Sequence, residues 1–255
     1  MKLLTTVLVG LVSVFMAKGQ VHTESVAYKQ GDTTLEGWLA YDGSKKGKRP
    51  GVLIVHQWKG LTDYEKKRAD MLAKLGYVAF AVDIYGKGIR PKDNQAAGAE
   101  AGKYKSDREL LRKRVNAGLA VLQKQELVDT KRIAAIGYCF GGTTVIELAR
   151  SGADIAGVVS FHGALDSPKP EDGKNIKCKV LALHGADDPF VPAKDVAAFE
   201  DEMRQAKVDW QLVKYGGAVH SFTDWNANME GAAYNEKADK RSWEAMKEFF
   251  GEKVR

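Results

Sequence analysis

Gly137-Tyr138-Cys139-Phe140-Gly141-Gly142 decides how the rest of the chain is read. An apolar, strand-like run, Ile133-Ala134-Ala135-Ile136, leads into it, and a helix-like run from Thr143 to Arg150 leads out. A Gly-x-Nuc-x-Gly sequence at such a junction forms a nucleophile elbow. The turn is too tight for side chains at its flanking positions, and its central residue is thrust into solvent above the sheet. Cysteine holds that central place here, so the expected nucleophile is a thiolate.

Outward from the elbow, strand-like and helix-like runs alternate, which predicts an α/β fold with a mainly parallel central sheet and helices on both faces. A hairpin, Ser25 to Lys29 and Thr34 to Tyr41 around Gly31-Asp32, opens the chain, with His22 ahead of the first strand. Val52-Leu53-Ile54-Val55 reads as a buried strand, followed by a helix that starts at the capping box Thr62-x-x-Glu65 and stops near Gly76. Tyr77 to Ile84 is the next strand. A polar, Gly-containing loop then leads to a helix opened by a second capping box, Ser106-x-x-Glu109, with Leu111, Val115, Leu119 and Leu122 at helical spacing. Later strands are expected near 155–161, at 179–184 and at 210–214. The last helix buries Trp243, Met246 and Phe250. Repeats and long linkers are absent, so residues 20–255 read as one domain.

Residues 1–19 read as an export signal. Lys2 is the basic start, Leu3 to Met16 the short apolar core, and Ala17-Lys18-Gly19 the small-x-small cleavage site. The apolar run falls short of the roughly 20 residues that span a bilayer, so a periplasmic or secreted protein is expected, with no stable membrane insertion. The net charge of +6 is modest, and acids bracket the bases on helices such as Glu65-Lys66-Lys67-Arg68-Ala69-Asp70, which argues against a nucleic-acid partner. Only two cysteines occur, Cys139 and Cys178. A bridge between them would consume the elbow sulfur, so two free thiols are expected. Neither a metal-ligand cluster nor a phosphate-binding glycine loop is evident, and no cofactor is implied.

A cysteine nucleophile needs a base, and the base needs an acid to orient it. Of the five histidines, only His220 follows the candidate acids, in the Gly-rich loop after the strand at 210–214. His56, His162 and His184 also lie at strand ends, where local hydrogen bonding of loops is their ordinary role. The acid is Asp187 or Asp188, both in the loop after the strand at 179–184, and composition does not separate them. The backbone N–H of Phe140 is one expected oxyanion donor, and the second is expected from the loop His56-Gln57-Trp58-Lys59-Gly60. Asp83 reads as the anchor of the turn Asp83-Ile84-Tyr85-Gly86-Lys87-Gly88, and Lys87 as a candidate substrate contact as well as an ordinary surface lysine.

Taken together, Gly137-x-Cys139-x-Gly141-Gly142, Gly185-x-x-Asp188-x-x-Val191-Pro192 and His220-Ser221-Phe222 resemble the dienelactone hydrolase family of the α/β-hydrolase fold, from about Pro50 to the last helix. The resemblance implies Cys139 as nucleophile, Asp188 as acid and His220 as base, with Trp58 as the second oxyanion donor. It implies a hydrolase of small lactones or carboxylic esters that works through a thioester. Two features depart from the family pattern. Gln57 stands where well-studied members carry a glutamate near the nucleophile, and Lys87 and Asp224 stand where dienelactone-specific members clamp a carboxylate with arginines. A neutral or differently charged ester is therefore at least as well suited as dienelactone. The rival expectation is a small-molecule binding protein that keeps the fold without turnover.

Overall fold

The computed structural model describes residues 20–254, and the expected export signal, residues 1–19, lies outside the described residues. A long hairpin of β1 (Val21–Gln30) and β2 (Thr33–Asp42) begins the fold, turning at Gly31 with φ of 56°. Strand β1 starts earlier than the sequence suggested and takes in His22. Then follow β3 (Arg49–Val55), α1 (Asp63–Leu75), β4 (Val78–Val82), α2 (Asn94–Ser106) and α3 (Arg108–Gln123). The elbow strand β5 (Val128–Tyr138) runs into α4 (Phe140–Arg150), and β6 (Gly157–Phe161), β7 (Lys179–Gly185), α5 (Ala193–Ala206) and β8 (Trp210–Tyr215) continue the alternation. A small hairpin, β9 (Asn228–Met229) and β10 (Ala232–Ala233), precedes the closing helix α6 (Glu236–Lys253).

Eight strands form one sheet in the order β1-β2-β4-β3-β5-β6-β7-β8. Only the β1–β2 and β2–β4 pairings are antiparallel. The central strands are apolar on both faces because helices cover both. Along β3, Leu53 and Val55 join the core under α2, α3, α4 and α5, while Val52 and Ile54 join the core under α1 and α6. The period-two alternation of a strand divides the side chains between the two cores.

Helix α1 begins at the expected capping box of Thr62 and Glu65 and ends at Gly76, which has φ of 100°. The second expected box is not formed. Asp107 is the N-cap of α3 and accepts from Leu110 N, while the Ser106 hydroxyl donates back to the carbonyls of Gly102 and Lys103 in the preceding helix. That helix, α2, occupies what read as a polar loop. It is capped by Asp93 and buries only Ala97, Ala101 and Tyr104, so its alanine- and glycine-rich sequence carries little apolar periodicity.

Candidate active site

Strands β3, β5, β6, β7 and β8 are parallel, so the loops that leave their carboxyl ends meet along one edge of the sheet. Cys139 sits at the tip of β5 with φ of 54° and ψ of −114°, a strained backbone for a residue with a side chain. Glycines permit it. A Cβ on Gly141 would stand 2.2 Å from the carbonyl oxygen of Val55, so α4 could not approach β3 closely enough to close the turn.

The structure brings Cys139, His220 and Asp188 together. His220 Nε2 lies 3.1 Å from Cys139 Sγ, and His220 Nδ1 lies 2.8 Å from Asp188 Oδ2. Asp188 Oδ1 accepts from Phe190 N at 2.9 Å, which fixes the carboxylate. Asp187 points elsewhere and accepts from Gly217 N at 2.8 Å, bracing the loop that leads to His220. That loop is also tied to the β9–β10 hairpin: His220 N donates to Gly231 O and Ala233 N donates to His220 O.

Burial alone would push the Cys139 thiol up, but the charge and hydrogen bond of His220 outweigh it, with Lys105 helping, and the thiol is held below its ordinary value. For His220, burial opposes the charged form, yet Cys139 and Asp188 together drive its pKa up to about 10. Both shifts favour a thiolate–imidazolium pair. Cys178, by contrast, is a free, buried thiol pushed up to about 12 by desolvation.

Three further histidines, His56, His162 and His184, are held neutral by burial and serve the scaffold. His56 donates from Nδ1 to Gln57 O at 2.6 Å and accepts Ile84 N at Nε2, its pKa lowered to about 4. His162 accepts the Cys139 N–H at Nδ1, 3.1 Å away, and its Nε2 faces Thr223 Oγ1 at 2.7 Å. Burial pushes the pKa of His162 well below the usual range. His184 is buried in β7, and burial lowers its pKa as well.

Phe140 N is the first amide of α4, where no intrahelical acceptor exists, and it abuts the Cys139 sulfur. Trp58 lines the same cavity, and its carbonyl is held by the Tyr85 hydroxyl at 2.9 Å. Tyr85 is a support that the sequence did not single out, although it sits in the quoted turn. Asp83 anchors that turn as expected, accepting from Tyr85 N and Gly86 N, each at 3.1 Å.

Lys87 does not reach the site. Its backbone N–H donates to Thr34 O, which draws the loop along β2, and its ammonium pairs with Glu36 at 2.9 Å on the surface. Gln57 and Asp224 do line the cavity, and they are bonded to each other: Gln57 Nε2 donates to Asp224 Oδ2 at 2.9 Å. Nothing in their separation of 167 positions signals this pairing.

The cavity over Cys139 measures about 860 Å³ and is walled by Trp58, Phe140, Phe190 and Met229 among others. Lys105, from the unexpected helix α2, contributes to its rim. Among the described residues no cluster of His, Cys, Asp or Glu is placed to hold a metal ion, and no helix is long and apolar enough to cross a membrane.

Comparison with known proteins identifies the family and its fold. The dienelactone hydrolase family profile matches residues 35–254. A Bradyrhizobium protein named "Probable 2-oxo-3-(5-oxofuran-2-ylidene)propanoate lactonase" is 30% identical over 213 residues, covering 78% of this chain and 86% of its own. The solved structure of m3DLH superposes with a TM-score of 0.90 at 41% identity, covering 93% of this chain and 100% of its own. A dienelactone hydrolase-like promiscuous phosphotriesterase from metagenomic libraries gives 0.88, also at 41%, covering 92% and 99%. This chain belongs to the dienelactone hydrolase family and is a lactone or ester hydrolase.

Proposed function

We propose that the protein hydrolyses lactones or carboxylic esters through Cys139, with His220 and Asp188 completing the triad and a thioester as intermediate. The observation that carries this reading is the 3.1 Å approach of His220 Nε2 to Cys139 Sγ, with Asp188 on the other ring nitrogen at 2.8 Å. The thiolate attacks the carbonyl carbon, and the oxyanion is received by the N–H groups of Phe140 and Trp58. Collapse breaks the bond to the leaving oxygen, which takes its proton from the His220 imidazolium; in a lactone that oxygen stays attached as a hydroxyl. The neutral imidazole then removes a proton from water as it attacks the thioester, and collapse returns the thiolate. Asp188 keeps Nδ1 protonated and the ring in place throughout.

The test is turnover of an activated acetate ester, a panel of lactones and a neutral phosphotriester, the last suggested by the relative of that activity. Rates are measured with and without iodoacetamide, and in Cys139→Ala. Loss of turnover on alkylation and in the variant is expected, with an acyl adduct on Cys139 in the intact mass of the quenched enzyme. An ester rate that survives both treatments removes the cysteine mechanism, and no turnover of any substrate with a full thiol titre favours a binding protein.

We further propose export, on the strength of the Lys2 to Gly19 pattern. Expression of the full chain with its native start in a bacterial host should yield a mature N-terminus at Gln20 outside the cytoplasm. An uncleaved cytoplasmic product would refute it.

A further inference from the structure

We propose that the Gln57–Asp224 pair sets the charge class of the substrate, disfavouring molecules with a carboxylate near the scissile carbonyl and admitting neutral esters and lactones. The inference rests on the hydrolase reading above and adds to it the substrate's charge.

Asp224 is half-buried in the wall of the cavity onto which Cys139 and His220 open. Its oxygens are engaged by neutral donors: Oδ2 accepts from Gln57 Nε2 at 2.9 Å, and Oδ1 accepts from Asn226 N at 3.0 Å. Among the described residues no lysine, arginine or histidine lies within 4.0 Å of it. Amide donors orient a carboxylate without cancelling its charge, so a fixed negative charge faces the cavity. A carboxylate can only accept, and the Gln57 amide therefore turns its nitrogen to Asp224. Gln57 has little freedom to do otherwise. It is buried, and its backbone N–H donates to the buried Glu65 at 3.1 Å.

An incoming carboxylate would meet this like charge inside a partly desolvated cavity, where repulsion is stronger than in water. Two lysines on the rim, Lys59 and Lys105, act in the opposite sense. Both are exposed, so water and salt screen them more than the wall acid. The mouth suits an uncharged guest as well. Phe190 is 58% exposed and Met229 51% exposed there, and Phe190 packs edge-on against the His220 ring at 5.6 Å.

The experiment uses nitrophenyl esters of one shape whose acyl chains end either in a carboxylate or in the matching carboxamide. The quantity read is the ratio of their kcat/KM values in the full-length enzyme. Wild type is expected to favour the neutral ester at least tenfold, with a smaller ratio at high salt. Asp224→Asn should shrink the ratio several-fold through the KM of the charged ester, Asp224→Lys should shrink it further, and Asp224→Glu should restore it. Thermal unfolding of each variant confirms that folded proteins are compared. A wild-type ratio below twofold, or one that Asp224→Asn leaves unchanged, overturns the proposal while turnover of the neutral ester keeps the hydrolase reading. Absence of turnover on the neutral ester overturns both.

Discussion

A methyl group placed on Gly137 would stand 1.9 Å from the carbonyl oxygen of Gly141. No rotamer change relieves that clash, because the obstacle is backbone on the first turn of α4. Gly137→Ala is therefore expected to destabilise the protein by about 3 kcal/mol or to prevent its folding. Urea unfolding measures this, and a loss below about 1 kcal/mol would show that the elbow is looser than its geometry.

The paired shifts of Cys139 and His220 set the sign of a pH experiment. A thiol held below its ordinary value of 9.0 is ionised at lower pH than a free cysteine. Iodoacetamide should label Cys139 with a midpoint below that value, while Cys178, raised to about 12, stays unreactive. Asp188→Asn removes one support of the imidazolium and should move the midpoint to higher pH. A wild-type midpoint at or above 9.0 would contradict the ion pair.

Arg68 reaches the active-site loop from behind. It is buried, donates to Asp239 Oδ1 at 2.6 Å and to Thr223 O at 3.0 Å, and lies 4.4 Å from the centre of the Trp225 ring. Arg68→Met leaves the Asp239 charge unpaired and should cost about 3–5 kcal/mol in urea unfolding. Adding Asp239→Asn should recover part of the loss, since the orphaned charge is then gone. Equal losses in the single and double variants would mean that the cost is packing alone.

Tyr85→Phe removes the hydroxyl that holds the Trp58 carbonyl. Releasing that carbonyl loosens the loop around Trp58 and with it the proposed oxyanion donor, the Trp58 N–H. A fall in kcat of roughly three- to tenfold with KM nearly constant is expected, the signature of an interaction that matters mainly in the transition state. A change confined to KM would place Tyr85 in substrate binding instead.

The sequence made legible those features whose physics is local. Gly137, Gly141 and Gly142 announce the elbow because only glycine fits its flanks, and Thr62 with Glu65 announces the start of α1 because a capping box closes within four residues. The order of Cys139, the 187–188 acids and His220 was readable too, since parallel strands deliver their loops to one edge. Helix α2 escaped because its buried face is only Ala97, Ala101 and Tyr104, too sparse to stand out from a loop.

Family resemblance pointed to Asp188 over Asp187, but tertiary structure was needed to show what each like residue contacts and which distant residues meet. Asp187 and Asp188 are chemically identical neighbours; the course of the β7 loop gives one to Gly217 and the other to His220. Lys87 is drawn to the surface by a backbone bond to β2, while Gln57 and Asp224, which read as two separate departures, meet as a single hydrogen-bonded pair. Hydrogen bonds and charges act over a few ångströms of space, and which residues share that space is set by the folding of the whole chain.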